Sequence, residues 1–288
     1  MEREKRKKNK THGFIYFFFH HRYGIAGLCG TLVFVILAFC APFFGASPSG
    51  YGEISEIQLA PCSNHLFGTD AMGLDVLSEV LWGARTSIKL GVMVVLYATV
   101  IGVIIGLISG YFKGVVGEFL MAATDLFLTI PMLPLMIMMA AIMGPSVSNV
   151  SIIIGVFSWP RIAKVTRAST LEVMGMKYIE AEKCLGIPTL VIIGKHILLY
   201  SSSFILSEMT LLMASAILTE SGISFLGLGD SDVWSWGKIL QNAQINGIFF
   251  RAWWCSLFPS LFILFFVISF SFLSMGMKDS INCHTKRN

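Results

Sequence analysis

Long apolar runs alternate with short polar stretches along this chain, and the runs fall near 23–44, 88–111, 119–143, 150–162, 201–220 and 255–275. Most of them approach the roughly 20 residues that a helix needs to cross a hydrocarbon core. They predict six membrane helices. The fourth run is short for a span, so its far end is expected to continue as helix beyond the bilayer. Between the fourth and fifth runs lies the polar stretch 159–199, WPRIAKVTRASTLEVMGMKYIEAEKCLGIPTLVIIGKHILL. Its second half reads as a surface helix, with Tyr178, Ala181 and Leu185 on one face and Lys177, Glu180 and Lys183 on the other. Gly186, Ile187 and Pro188 are expected to stop that helix, because glycine accepts a left-handed cap and proline cannot continue the hydrogen-bond ladder. Thr189 is placed to cap the next one.

Small residues and prolines refine the spans. Gly102, Gly106 and Gly110 repeat at four-residue spacing and predict a ridge along which a second helix approaches closely. Pro131 and Pro134 are expected to kink the third span. Residues 45–83 are rich in glycine, proline, serine and acids, too polar to cross a membrane. The first run is not read as a signal peptide, whose apolar core spans only about 7–15 residues, and bulky Phe39 stands where a small residue would precede a lipid-modified Cys40.

Composition agrees with this pattern: 55% of the 288 residues are hydrophobic and 13% charged, and the mean hydropathy is +0.74. The formal charge of +4 matters chiefly through its placement. The tail MEREKRKKNK, Lys113 and the polar hairpin hold most of the Lys and Arg, and FIYFFFHHRY suits a membrane interface, so both termini and the hairpin are expected on the cytoplasmic side. No basic face with interleaved aromatics is present, so no nucleic-acid partner is expected. Of the six cysteines, Cys29 and Cys40 fall in a span, and Cys184 and Cys283 fall on the expected cytoplasmic side. Cys62 and Cys255 are left as a possible but unrequired pair.

Candidate chemistry is sparse. His65, Asp70 and Asp75 match no standard metal spacing and are expected to cap and brace a loop. The methionines of the third span, which no cysteine or histidine joins, are read as packing. Asp125 is expected to cap or snorkel near the inner interface. Glu208, inside the fifth run, is read either as a pathway residue or as a contact to a neighbouring subunit. Asp230 and Asp232 beside Trp234 and Trp236 have a carbohydrate-site composition, but an interfacial tryptophan belt is the expected use. No phosphate-cradling G-x-x-x-x-G-K-S/T loop occurs; the nearest, at Gly194-Lys195, has Thr189 for the first glycine and His196 for the hydroxyl. No catalytic residues, metal or cofactor are assigned, and the chain is expected not to be an enzyme.

Four blocks in order carry a resemblance. YIEAEKCLG followed by His196 resembles the EAA signature of ABC-importer permeases, closest to the dipeptide, oligopeptide and nickel group. NHLFGTDAMGLDVLSEVLWGARTS, ISFLGLG with SWG, and GMKDSIN are similar to that family's other blocks. Departures are Glu182 for the second alanine, Leu199 for a proline, and Leu74 and Glu79 for arginines. The resemblance implies an all-α, six-helix type I importer permease in the bacterial inner membrane. It also implies a cytoplasmic coupling helix that docks into an ATPase subunit, with the motif's Glu, Ala and Gly on Glu180, Ala181 and Gly186. The partners it implies are a homologous permease, cytoplasmic ATPase subunits that hydrolyse the ATP, an external substrate-binding protein and the bilayer. The expected organisation is a basic tail and interfacial segment (1–22), first helix and external loop (23–84), permease core (85–277) with its coupling loop near 168–200, and cytoplasmic tail (278–288). Di- or oligopeptides are the expected substrate, with nickel as an alternative. An ion-coupled secondary transporter is the other class, disfavoured because no internal repeat is visible.

Overall fold

A computed structural model describes residues 21–44, 48–50, 52–112 and 114–286. The basic tail, residues 14–20 of the aromatic cluster and Lys113 lie outside them. The described residues are almost wholly helical, with one isolated antiparallel bridge between Thr69 and Asp75. In chain order the helices are α1 (Arg22–Cys40), α2 (Val76–Tyr111), α3 (Val115–Thr129), α4 (Met132–Met143), α5 (Val147–Met174), α6 (Lys177–Cys184), α7 (Thr189–Ile192), α8 (Leu198–Phe225), α9 (Trp236–Ile245) and α10 (Trp254–Lys286). A π-helical turn, Ile193–Ile197, joins α7 to α8.

Among the described residues, four segments are long and apolar enough to cross a membrane, and α3 with α4 makes a fifth if that bent pair is one span. The pair bends by 82°. The break falls where Pro131 precedes α4, since a proline there forces Ile130 into extended backbone. The predicted kink is therefore a corner. The short fourth run lies inside α5, which continues unbroken for 28 residues.

The glycine ridge seats α2 on α5. A Cβ on Gly102 would lie 2.8 Å from the Cβ of Ile162, one on Gly106 2.5 Å from that of Thr166, and one on Gly110 2.6 Å from that of Thr170. Only bare backbone permits this approach. At one end of the bundle, His21 meets Asp279 at 3.0 Å and Tyr23 packs on Phe272, so α1 starts beside the last turns of α10. The polar hairpin occupies the same end, where the Tyr111 and Thr189 hydroxyls are 2.9 Å apart.

The opposite end is closed by residues 52–75 and α9. Asp70 accepts from the Met72 and Leu74 amides, each at 2.8 Å, and Asp75 caps α2 through the Ser78 amide at 3.0 Å while its other oxygen meets His65 Nδ1 at 3.1 Å. These side chains thus brace the loop. Burial holds the Asp70 carboxyl above its ordinary value, against the lowering pull of the Leu74 and Met72 amides. Trp236 corrects the tryptophan-belt expectation: it is fully buried, donates from Nε1 to the Val80 carbonyl at 3.0 Å, and sits among Phe34, Phe262 and Phe266. Asp230 accepts from the Val147 and Asp232 amides. Cys255 is buried with its thiol toward the Thr69 carbonyl at 3.6 Å, and no bridge joins it to exposed Cys62.

Candidate functional site: a capped hairpin at one end of the bundle

The hairpin turns twice, each time for a local reason. Gly175 ends α5, its amide shared between the Leu171 and Glu172 carbonyls. Helix α6 then runs for eight residues and ends in a left-handed cap. The Gly186 amide donates to the Lys183 carbonyl at 3.0 Å and the Ile187 amide to the Glu182 carbonyl at 3.1 Å, with Gly186 at φ 74°. These are the two reverse bonds of a Schellman cap. Thr189 does not cap α7 as expected, for Pro188 holds that position and the Thr189 hydroxyl faces Tyr111.

A small core of its own holds the hairpin together. Val173, Met174, Ile179, Ile192 and Ile197 are buried there, with Leu107 and Tyr111 of α2 packed against them. Ile179 is therefore the residue that seats α6. The face formed by Tyr178, Ala181 and Leu185 points outward instead, with Leu185 at 80% and Leu190 at 82% exposure. Glu180, Ala181 and Gly186 are all exposed, and a Cβ on Gly186 would meet nothing within 4 Å. The three motif residues sit together on the uncovered tip. Glu208 does not join them.

Charge contacts tie the tip to the body. Glu182 Oε2 lies 2.9 Å from His196 Nε2, both side chains about four-fifths shielded, a close approach without in-line hydrogen-bond geometry. The His196 ring also packs against Tyr178, with centroids 5.6 Å apart. Partial burial and the Glu182 carboxylate push the Tyr178 hydroxyl above its ordinary value. Lys183 Nζ stands 5.1 Å over the Tyr111 ring, and Tyr200 donates to Glu172. The charge at Glu182, a departure from the motif, thus has its own partner fourteen residues on. That pairing was not legible in the spacing because the π turn sets where His196 points.

Glu208 lies deeper, between helices. Its Oε1 is 3.4 Å from Arg161 Nε of α5 and its Oε2 is 3.4 Å from Lys278 Nζ of α10. Asp125 pairs with Lys164 across α3 and α5 at 2.6 Å, rather than capping its own helix.

Comparison with known proteins agrees with this architecture. Residues 102–286 match the family model described as binding-protein-dependent transport system inner membrane component. The dipeptide transport system permease protein DppC of Bacillus subtilis (strain 168) is 32% identical over 268 residues, 93% of this chain and 83% of that protein. The glutathione transport system permease protein GsiD of Pectobacterium atrosepticum is 30% identical over 267 residues, 92% and 88% of the two chains. The oligopeptide transport system permease protein OppC of Bacillus subtilis is 28% identical over 263 residues, 91% and 86%. This chain belongs to the binding-protein-dependent family of ABC-importer inner-membrane permeases.

Proposed function

We propose that this chain is one permease subunit of an ATP-driven importer of di- or oligopeptides, forming half of the pathway beside a homologous permease. The observation that carries the coupling reading is the hairpin tip. Glu180 and Ala181 stand exposed on an eight-residue helix braced from behind and Gly186 just past its end, and beside them Leu185 and Leu190 are uncovered among the described residues while half-exposed Tyr178 leans on the His196 ring. An apolar tip on a rigid stem suits a cleft in a cytoplasmic ATPase subunit. The peptide reading rests on the names of the relatives, which include dipeptide and oligopeptide permeases. We read α5 as a sixth span beside α1, α2, the α3–α4 pair, α8 and α10, and place the hairpin and both tails in the cytoplasm. The core domain then runs over 85–277 after a first helix and external loop at 23–84.

In this reading ATP closes the partner ATPases, their motion drags α6, and the stem passes the displacement to α2, α5 and α8. An external binding protein delivers the peptide, and ATP hydrolysis belongs to the partners. Transport of labelled peptides and of nickel by the reconstituted complex tests the substrate. Peptide uptake without nickel uptake is expected; nickel uptake alone would overturn the peptide reading.

A further inference from the structure

Two acids are buried against each other at the end of the bundle away from the hairpin. Asp70 is 5% and Glu79 1% exposed, and their carboxyls are in hydrogen-bond contact. Glu79 lies 32 residues before the end of α2, about 48 Å along the axis, so it stands beyond a hydrocarbon layer of about 30 Å counted from the hairpin. Asp70 Oδ1 accepts from the Met72 and Leu74 amides, while Asp70 Oδ2 and Glu79 Oε1 are buried and receive no N–H or O–H from the described residues. Among the described residues no Lys, Arg or His pairs with either acid, and no third ligand joins them in a set that could hold a metal ion. The groups around them add no positive charge. Asp75 faces Glu79 from the cap of α2, the Cys255 thiol faces both acids from α10, and His65 stands behind Asp75 with Glu56 on its far side.

Two carboxylates in contact in a dry site do not both keep a negative charge. The two amides on Asp70 favour its ionised form and nothing donates to Glu79, so the missing hydrogen belongs on Glu79. We propose that Glu79 binds a proton and donates it to Asp70, so that one proton clasps the loop 52–75 onto the first turn of α2 and is given up as the loop opens. Opening then releases a proton, and the clasp loosens as pH rises. The site is built from the residue that replaces an arginine of the family, and it does not depend on which solute the subunit carries.

The test reads opening through Cys255, buried beside the pair with its thiol toward the Thr69 carbonyl. The purified full-length subunit in detergent is alkylated with iodoacetamide over a pH series, and modification at Cys255 is followed by mass spectrometry. Each rate is divided by that of Glu79→Gln at the same pH, which cancels the chemistry of the thiol and the titration of His65; the glutamine amide gives Asp70 a permanent donor. The ratio is expected to climb with pH, by up to about tenfold per unit above the range where a free glutamate ionises. Glu79→Arg, which returns the family's residue, should be as flat as Glu79→Gln. Infrared spectra at neutral pH should show a protonated-carboxyl C=O band in wild type that Glu79→Gln lacks. A ratio constant with pH, or no such difference band, would overturn the site; so would a chelator that raises the wild-type rate, which would put a metal ion between the acids. Failure of both variants to assemble would also contradict it, since each gives Asp70 the donor that the proton provides.

Discussion

Gly186 carries the sharpest residue-level argument. Its φ of 74° is one that L side chains rarely adopt, yet the space around it is open, so substitution is opposed by backbone strain alone. A β-branched side chain there costs on the order of 1–3 kcal/mol, enough to displace α6, whereas asparagine tolerates the left-handed region. Gly186→Val is expected to reach the membrane in normal amounts and lose uptake, while Gly186→Asn keeps most of it. Equal uptake by the two, at matched protein levels, would show that the cap does not matter. At Glu182 the contest is between the contact to His196 and the motif. Restoring the family's alanine with Glu182→Ala removes the partner of His196, and a double-mutant cycle with His196→Ala is expected to give a coupling of about 0.5–1 kcal/mol in thermal unfolding of the detergent-solubilised subunit. Strictly additive effects would contradict a clamp.

At the scale of elements, the α2–α5 seam is where packing decides most. Gly106→Leu would drive a side chain into Thr166 and the Ala163 carbonyl, since even a Cβ stands 2.6 Å from that oxygen. Overpacking of this kind is expected to cost at least 1–3 kcal/mol and to lower the melting temperature of the purified subunit. Gly222→Ala, at a helical glycine with nothing within 4 Å, should leave it unchanged. The seam was legible because four-residue spacing of glycine has one geometric use between membrane helices. The corner at Pro131 was visible as a kink but not in size, which depends on what α4 packs against once it turns. Trp236 was misjudged for a related reason. Tryptophans near a span boundary suit an interface, and only the folding of α9 onto Phe34, Phe262 and Phe266 turns this one inward. Periodicity placed α6 correctly but did not single out the residue that seats it. Ile179, flanked by Tyr178 and Glu180, seats the helix because the stem approaches from its side.

For the whole molecule, the proposed sidedness and the proposed coupling are joined. The ends of α1 and α10 and the hairpin share one end of the bundle, while Cys62 lies in the loop at the other. An impermeant thiol reagent on intact spheroplasts is expected to modify Cys62 and spare Cys184, both exposed in the isolated chain; labelling of Cys184 would invert the orientation. The motif residues could be located from the sequence, but the brace behind them could not, because it draws on α2, α5 and the π turn at once. The most direct test of the account is substrate-stimulated ATP hydrolysis and uptake by the assembled transporter carrying Glu180→Lys. Among the described residues Glu180 is exposed and makes no hydrogen bond or ion pair, so its charge reversal breaks none. Normal insertion is therefore predicted, with loss of both activities and a docking defect more severe at low salt than at high. Hydrolysis and uptake near wild type would contradict the account and leave the hairpin a solvated loop.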